Sequence, residues 1–258
     1  MVGVIEDLIK KELKAIKNIP IDDNIGNMVD ESYERRLKFA ISELESAGET
    51  VFSNEKLEMY SPKFLKLLQN ITDAENEGKN LIYSQFRTLE GIAIIKLILE
   101  HNDYMQFKIK RDSSNDWVLD VPESQREKPM FALYTGTESS EEKEIIRNVF
   151  NDDWDVVPQK LRSQLSEIHD DNIYGQLIKV IMITASGAEG ISLKNVRYVH
   201  ITEPYWHPVR IQQVIGRARR ICSHKDLPKE LQTVEVILYL MTFSKKQISS
   251  ENGESLEL

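Results

Sequence analysis

The run richest in chemistry is Gln213-Val214-Ile215-Gly216-Arg217-Ala218-Arg219-Arg220. On an α-helix, Gln213, Arg217 and Arg220 recur at i, i+4 and i+7 and share one face, while Arg219 and Arg210 point elsewhere. Gly216 removes a side chain from that helix and lets a ligand or another backbone come close. Two guanidinium groups on one face suit a triphosphate whose charge rises during phosphoryl transfer. From Pro204 to Lys225 there are five Arg or Lys residues and no acid. The whole chain carries 33 basic and 42 acidic residues, a net charge of −9, so this stretch reverses the local sign. A solvated basic helix is the plain alternative.

Three further stretches join strand ends to small polar residues. Thr184-Ala185-Ser186-Gly187-Ala188-Glu189-Gly190-Ile191-Ser192-Leu193 follows the apolar run Leu177–Ile183. Its glycines and hydroxyls let backbone N–H groups face phosphate oxygens, although an ordinary tight loop has the same composition. Tyr134-Thr135-Gly136-Thr137-Glu138 ends a strand and turns at Gly136; Ser139 or Ser140 then caps a helix with Glu141 and Glu142 in its first turn. Leu81–Arg87 reads as a buried strand closing on Ser84 and Gln85. His169, His200, His207 and His224 have no Cys or carboxylate at ligand spacing, so no metal site is expected. Cys222 is the one cysteine, which excludes a disulfide framework and leaves a structural thiol. Trp206, just before a helix, reads as core, with stacking on a base as the alternative.

The remainder must position these groups. Residues 4–16 have helical apolar spacing, and helices are expected at 30–47 and 61–71, the second entered through Ser61-Pro62. From residue 80, strands at Leu81–Phe86, Tyr104–Ile109, Met130–Tyr134, Leu177–Ile183, Val196–Thr202 and Val234–Leu240 alternate with helices at 88–100, 139–150 and 207–222. That alternation predicts an α/β fold: a parallel sheet with helices on both faces, preceded by an α-helical segment. The expected divisions are a helical linker or accessory segment at 1–75, a lobe at 76–248 with polar insertions at 110–128 and 151–171, and a polar tail at 249–258. With 258 residues, 41% of them apolar, there is material for a real core. No apolar run approaches the roughly 18 residues of a membrane span, and the acidic first residues fit no signal or transit peptide. The expectation is an intracellular protein of a reducing compartment. Any polyanionic ligand has to meet a local basic patch.

In this order and spacing, Leu81–Arg87, Tyr134–Phe150, Thr184–Leu193 and Gln213–Arg220 resemble motifs IV, IVa, V and VI of superfamily 2 helicases. Ile201–Arg210 is similar to the chromatin-remodeller branch. Ile183–His224 is more similar still to the helicases of nucleocytoplasmic large DNA viruses, of poxvirus, asfarvirus and mimivirus type. The resemblance covers about residues 60–243.

It implies the second RecA-like lobe of an ATP-dependent helicase or translocase. In that reading Arg217 and Arg220 are the catalytic arginine fingers at the γ-phosphate, and Gln213, Gly190 and Gly216 lie at the nucleotide. Thr184, Gly136, Thr137, Ser84 and Gln85 contact the nucleic-acid backbone. Two positions depart from the pattern: Glu189 stands where many members carry Arg, and Ser192 where a ribose-binding Asp is frequent. There is no G-x-x-x-x-G-K-S/T, and no apolar strand precedes Asp30-Glu31-Ser32. ATP and its Mg²⁺ would therefore be held by a missing N-terminal RecA-like lobe, in the same full-length chain or a separate subunit, and this chain alone is expected to be inactive. The implied partners are that lobe and a DNA or RNA strand, with no membrane, in host-cell cytoplasm or virion. Rival expectations are a non-catalytic nucleic-acid-binding or partner-docking module with a helicase-like fold, and an unrelated α/β enzyme for a phosphorylated metabolite.

Overall fold

The computed structural model describes residues 25–89, 91–185, 190–204 and 208–242, with side chains from residue 35 onward. The helix expected at 4–16, Ser186–Glu189, Tyr205–His207 and the tail after Thr242 lie outside the described residues. Two compact units divide at residues 43 and 44. The first contains most of helix α1 (Ile25–Ala47).

In the second unit, helices α2 (Glu49–Phe52), α3 (Asn54–Tyr60) and α4 (Pro62–Thr72) lead into β1 (Lys79–Tyr83). Then follow α5 (Ile92–His101), β2 (Met105–Gln106), β3 (Ile109–Arg111), β4 (Trp117–Leu119), β5 (Met130–Tyr134) and α6 (Ser140–Asn151). The unit continues with α7 (Gln159–Ser166), β6 (Ile178–Ile183), β7 (Val196–Ile201), α8 (Pro208–Ala218) and β8 (Glu235–Leu238). Six strands form one sheet in the order β2-β5-β6-β1-β7-β8. Every pairing in it is parallel. The α/β sheet read from the alternation is thus the fold, with all crossovers running through helices or long connections.

Side chains of a strand alternate between faces, and a parallel sheet is covered on both. Leu81, Tyr83, Ile181, Ile183, Val199 and Ile201 join the cluster roofed by α6, α7 and α8. Ile82, Val180, Met182 and Phe131 join the opposite cluster, roofed by α2 to α5. In α4, Phe64, Leu67, Leu68 and Ile71 recur at helical spacing and turn inward. Burying each is worth about 1.5–3 kcal/mol relative to exposure. Residues 44–72 therefore share the sheet's own core, and the boundary expected at residue 75 falls inside one apolar cluster.

The two polar stretches expected as insertions meet each other. β3 and β4 form an antiparallel hairpin. The Leu119 N–H donates to Gln164 Oε1 on α7 at 2.9 Å. Trp117, Val118 and Leu119 are buried, and Leu161 and Leu165 are fully so. Glu141 Oε1 accepts from both Trp117 Nε1 at 2.7 Å and Arg111 Nη2 at 2.6 Å, tying the hairpin to the start of α6. These residues extend the main apolar cluster.

Two basic side chains of the sheet's own strands are buried, one on each face. Lys79 is fully buried; its Nζ donates to the Phe150 carbonyl and lies 4.9 Å from the Phe150 ring centroid. On the other face, His200 Nδ1 bonds the Tyr239 hydroxyl at 2.8 Å and Nε2 bonds Asn80 Oδ1 at 2.9 Å, with Asn70 Nδ2 donating to the same hydroxyl at 2.8 Å. Burial lowers the His200 pKa to about 3, so the imidazole is neutral and both its nitrogens are satisfied.

Candidate functional site

The carboxyl ends of β1, β6 and β7 are knitted together. Ser84 N–H donates to the Ile183 carbonyl at 3.2 Å, and Thr202 donates to the Tyr83 carbonyl through N–H at 3.1 Å and Oγ1 at 2.9 Å. Glu203 then reaches across. Its Oε2 accepts from Ser84 Oγ at 2.7 Å and Gln85 N–H at 3.1 Å, while Oε1 lies 3.5 Å from Lys63 Nζ on α4. Ser84 is fully buried and its hydroxyl is engaged with Glu203; Gln85 is half-buried, and Phe86 and Arg87 are exposed. Thr184 is buried beside them at the end of β6.

Gly91 allows this loop its position. A Cβ there would lie 2.2 Å from the Phe86 carbonyl oxygen and 2.2 Å from Ser84 Oγ. No flexible side-chain end can give way at the carbonyl. Gly91→Ala is expected to lower stability by about 1–3 kcal/mol, as overpacking does. Urea unfolding measures it, and an unchanged midpoint would show that the loop has slack.

At the end of β5, Glu138 folds back over the turn. Its carboxylate accepts from Thr135 N–H at 2.8 Å, Thr135 Oγ1 at 3.0 Å and Thr137 Oγ1 at 3.1 Å. Thr135 is buried, whereas Gly136 and Thr137 are exposed. The next helix begins with the expected capping box: Ser139 Oγ accepts from Glu142 N–H at 3.2 Å, and Glu142 Oε2 accepts from Ser139 N–H at 2.8 Å.

A second group forms where Gly190–Leu193 meets the end of α8. Leu193 N–H donates to the Arg217 carbonyl at 3.1 Å, and Arg220 Nη2 donates to the Ile191 carbonyl at 3.2 Å. Asn151 at the end of α6 steadies the same segment, donating to the Ser192 carbonyl and accepting from Lys194 N–H, both at 2.9 Å. Gly190 is exposed with φ +73°, the left-handed region glycine adopts without strain. At neither Gly190 nor Gly216 would a Cβ meet any atom of the described chain. Arg217 Nε is buried without a hydrogen-bond partner among the described residues, and Gln213 is exposed.

The helix expected at 207–222 stops at Ala218. Ser223 Oγ donates to the Ala218 carbonyl at 3.0 Å, and Cys222 turns the chain with φ 60°. Arg220 therefore lies beyond the helix and reaches the Gly190–Leu193 segment through this turn rather than by helical spacing; Gln213 and Arg217 remain on α8.

The structure thus places the expected site residues in two groups: Ser84, Gln85, Thr184, Gly136 and Thr137 at strand carboxyl ends, and Gly190, Gln213, Gly216, Arg217 and Arg220 around the end of α8. Sequence reasoning passed over Glu203, Glu138, Asn151 and Gly91. Glu138 adjoins Thr135-Gly136-Thr137 and Glu203 directly precedes the basic run, signals that were available; Asn151 and Gly91 acquire meaning only from what folds against them. Among the described residues no group of three His, Cys, Asp or Glu side chains forms a metal cluster, and no helix is long and apolar enough to cross a membrane.

Residues 117–222 match the family described as the helicase conserved C-terminal domain. A protein of Acanthamoeba polyphaga mimivirus named as an ATP-dependent RNA helicase is 30% identical over 92% of this chain and 37% of its own length. The termination factor NPH-I homolog of an African swine fever virus isolate is 32% identical over 75% of this chain and 28% of its own. The C-terminal part of the Fun30 ATPase domain, a crystal structure, aligns with a TM-score of 0.43 at 18% identity, covering 70% of this chain and 41% of that one. The chain spans about a third of the length of the two viral relatives. Residues 117–222 thus carry a helicase conserved C-terminal domain, and most of the chain is similar to these mimivirus and asfarvirus proteins.

Proposed function

We propose that this lobe is the second motor lobe of an ATP-dependent nucleic-acid helicase or translocase, acting against a P-loop lobe that holds ATP and Mg²⁺. The observation that carries the reading is the convergence of Gly190–Leu193 with Arg217 and Arg220 beside the open face at Gly216. Arginine forks suit a phosphate chain, and Arg220 commits only one N–H of its fork, to the Ile191 carbonyl. ATP supplies the phosphoanhydride whose cleavage drives the cycle. Arg217 and Arg220 offer fixed positive charge where negative charge builds in the transition state. Gln213, on the same helix as Arg217, orients the lobe against the nucleotide. Thr184, Gly136, Thr137 and Gln85 grip a strand's phosphates at the sheet edge, with Ser84 holding the loop through Glu203. Backbone grip carries little sequence specificity and weakens steeply with salt.

The test is strand-stimulated ATP hydrolysis by a protein containing this lobe and its P-loop partner. No stimulation by DNA or RNA, with strand binding retained, would leave a non-catalytic binding or docking module in its place. Gly216→Ala sharpens the test. A methyl there meets no atom of the lobe and replaces a glycine inside a helix, so the variant should be about 0.5–1 kcal/mol more stable. The same methyl intrudes on the nucleotide-facing side and should slow turnover several-fold; a more stable variant with undiminished turnover would remove that face from the active site.

A further inference from the structure

Phe86 combines a fixed backbone with an exposed ring. Its N–H donates to Ser84 Oγ at 3.1 Å, and its carbonyl accepts from Ile92 N–H at 3.0 Å at the first turn of α5. Ser84 is itself held by Glu203 at 2.7 Å, and Glu203 holds Gln85 N–H at 3.1 Å. The absent Cβ of Gly91 lets α5 close on this loop from below. Yet the Phe86 side chain is 46% exposed. It follows the central strand β1, beside the carboxyl ends of β6 and β7, and the exposed Arg87 comes next in the chain.

A large apolar ring kept in water on a rigid loop forfeits burial, and a rigid loop loses little entropy when something docks on it. On an edge that grips phosphates, the occupant matching an exposed flat apolar face with an exposed arginine next in the chain is a nucleotide: base on ring, phosphate on cation. We propose that Phe86 is a stacking platform for one unpaired base of the bound strand, with Arg87 on an adjoining phosphate. This rests on the reading of the edge as a strand grip, and adds to it a contact that requires the base. Every base has a flat π-face, so the platform tolerates sequence but not loss of the base.

The test uses the full chain and fluorescence anisotropy with an oligodeoxythymidylate and an abasic oligomer of the same length. Phe86→Ala should weaken binding of the base-bearing strand about tenfold and leave the abasic strand little changed. Phe86→Tyr should bind as the parent does. Phe86→Leu keeps apolar bulk without a ring and should behave as Phe86→Ala. Because the ring is exposed, none of these changes removes core packing. Equal losses on both strands, or full affinity in Phe86→Leu, would overturn the stacking role; the latter would mean that apolar bulk rather than an aromatic face makes the contact. Failure of the parent chain to bind either oligomer would overturn the strand grip as well, and is distinguishable because it needs no variant.

Discussion

Replacing Arg217 or Arg220 with Ala, in an enzyme that carries this lobe with its P-loop partner, is expected to lower ATP turnover by about 10³-fold. Arginine fingers contribute on that scale, and 10³ corresponds to about 4 kcal/mol of transition-state stabilisation. The folded lobe should hardly notice. The Leu193 bond to Arg217 uses the backbone carbonyl, which the substitution retains, and Arg220 is exposed with one side-chain bond to Ile191. Unfolding midpoints within about 0.5 kcal/mol of the parent should therefore accompany the loss of turnover. Lys at either position should rescue poorly, since a point charge does not reproduce the planar fork. ATP affinity would change less than turnover, because the charge being stabilised develops only during transfer. Near-normal turnover in both Ala variants would remove the arginine-finger role and leave the basic run as a solvated surface.

Folding stability should rise with pH from about 7 toward 10, and Lys79 should account for the rise. Burial lowers its pKa from 10.5 to about 7, only partly opposed by Asp152, Asp153, Asp171 and Asp226. Between those two values the unfolded chain binds a proton that the folded chain does not. Stability then climbs with pH, by at most about 1.4 kcal/mol per unit from this group, and is flat with respect to it below about 7. Lys79→Met keeps the unbranched stem, one atom shorter, and removes the titration. The Phe150 carbonyl would still accept from Asn172 Nδ2 at 3.0 Å, so no buried acceptor is orphaned. Urea unfolding at pH near 7 and near 9.5 should show the climb in the parent and a flattened profile in the variant. The same climb in both would mean that the amine reaches water in the folded state.

Lys79 also shows where sequence reading falls short. The strand expected at Leu81–Phe86 begins at Lys79 and ends at Tyr83. A lysine and an asparagine look like loop in one dimension. They are buried because each finds partners on elements far along the chain: Phe150 for Lys79, His200 for Asn80. The stretches expected as insertions, polar on average, likewise bury Trp117, Leu161 and Leu165 once hairpin and helix meet. Periodicity located elements wherever packing obeyed a single helix or strand, as in α6 with its Ser139 cap. It overran where a local side-chain bond ended the element, as Ser223 Oγ, bonded to the Ala218 carbonyl, ends α8.

What the sequence determined by itself is the alternation that makes a covered parallel sheet, and the motif order that marks a helicase C-terminal lobe. Both follow from patterns local to each element: apolar period, caps, and residue types at fixed spacing. Only the tertiary structure decided that Arg220 joins Arg217 through a turn, that Glu203 takes the Ser84 hydroxyl out of solvent, and that Phe86 stands exposed on a pinned backbone. Those outcomes depend on which side chains lie within hydrogen-bond reach after the sheet closes. Sequence separation is blind to that distance, since Ser84 and Glu203 stand 119 residues apart and 2.7 Å from each other.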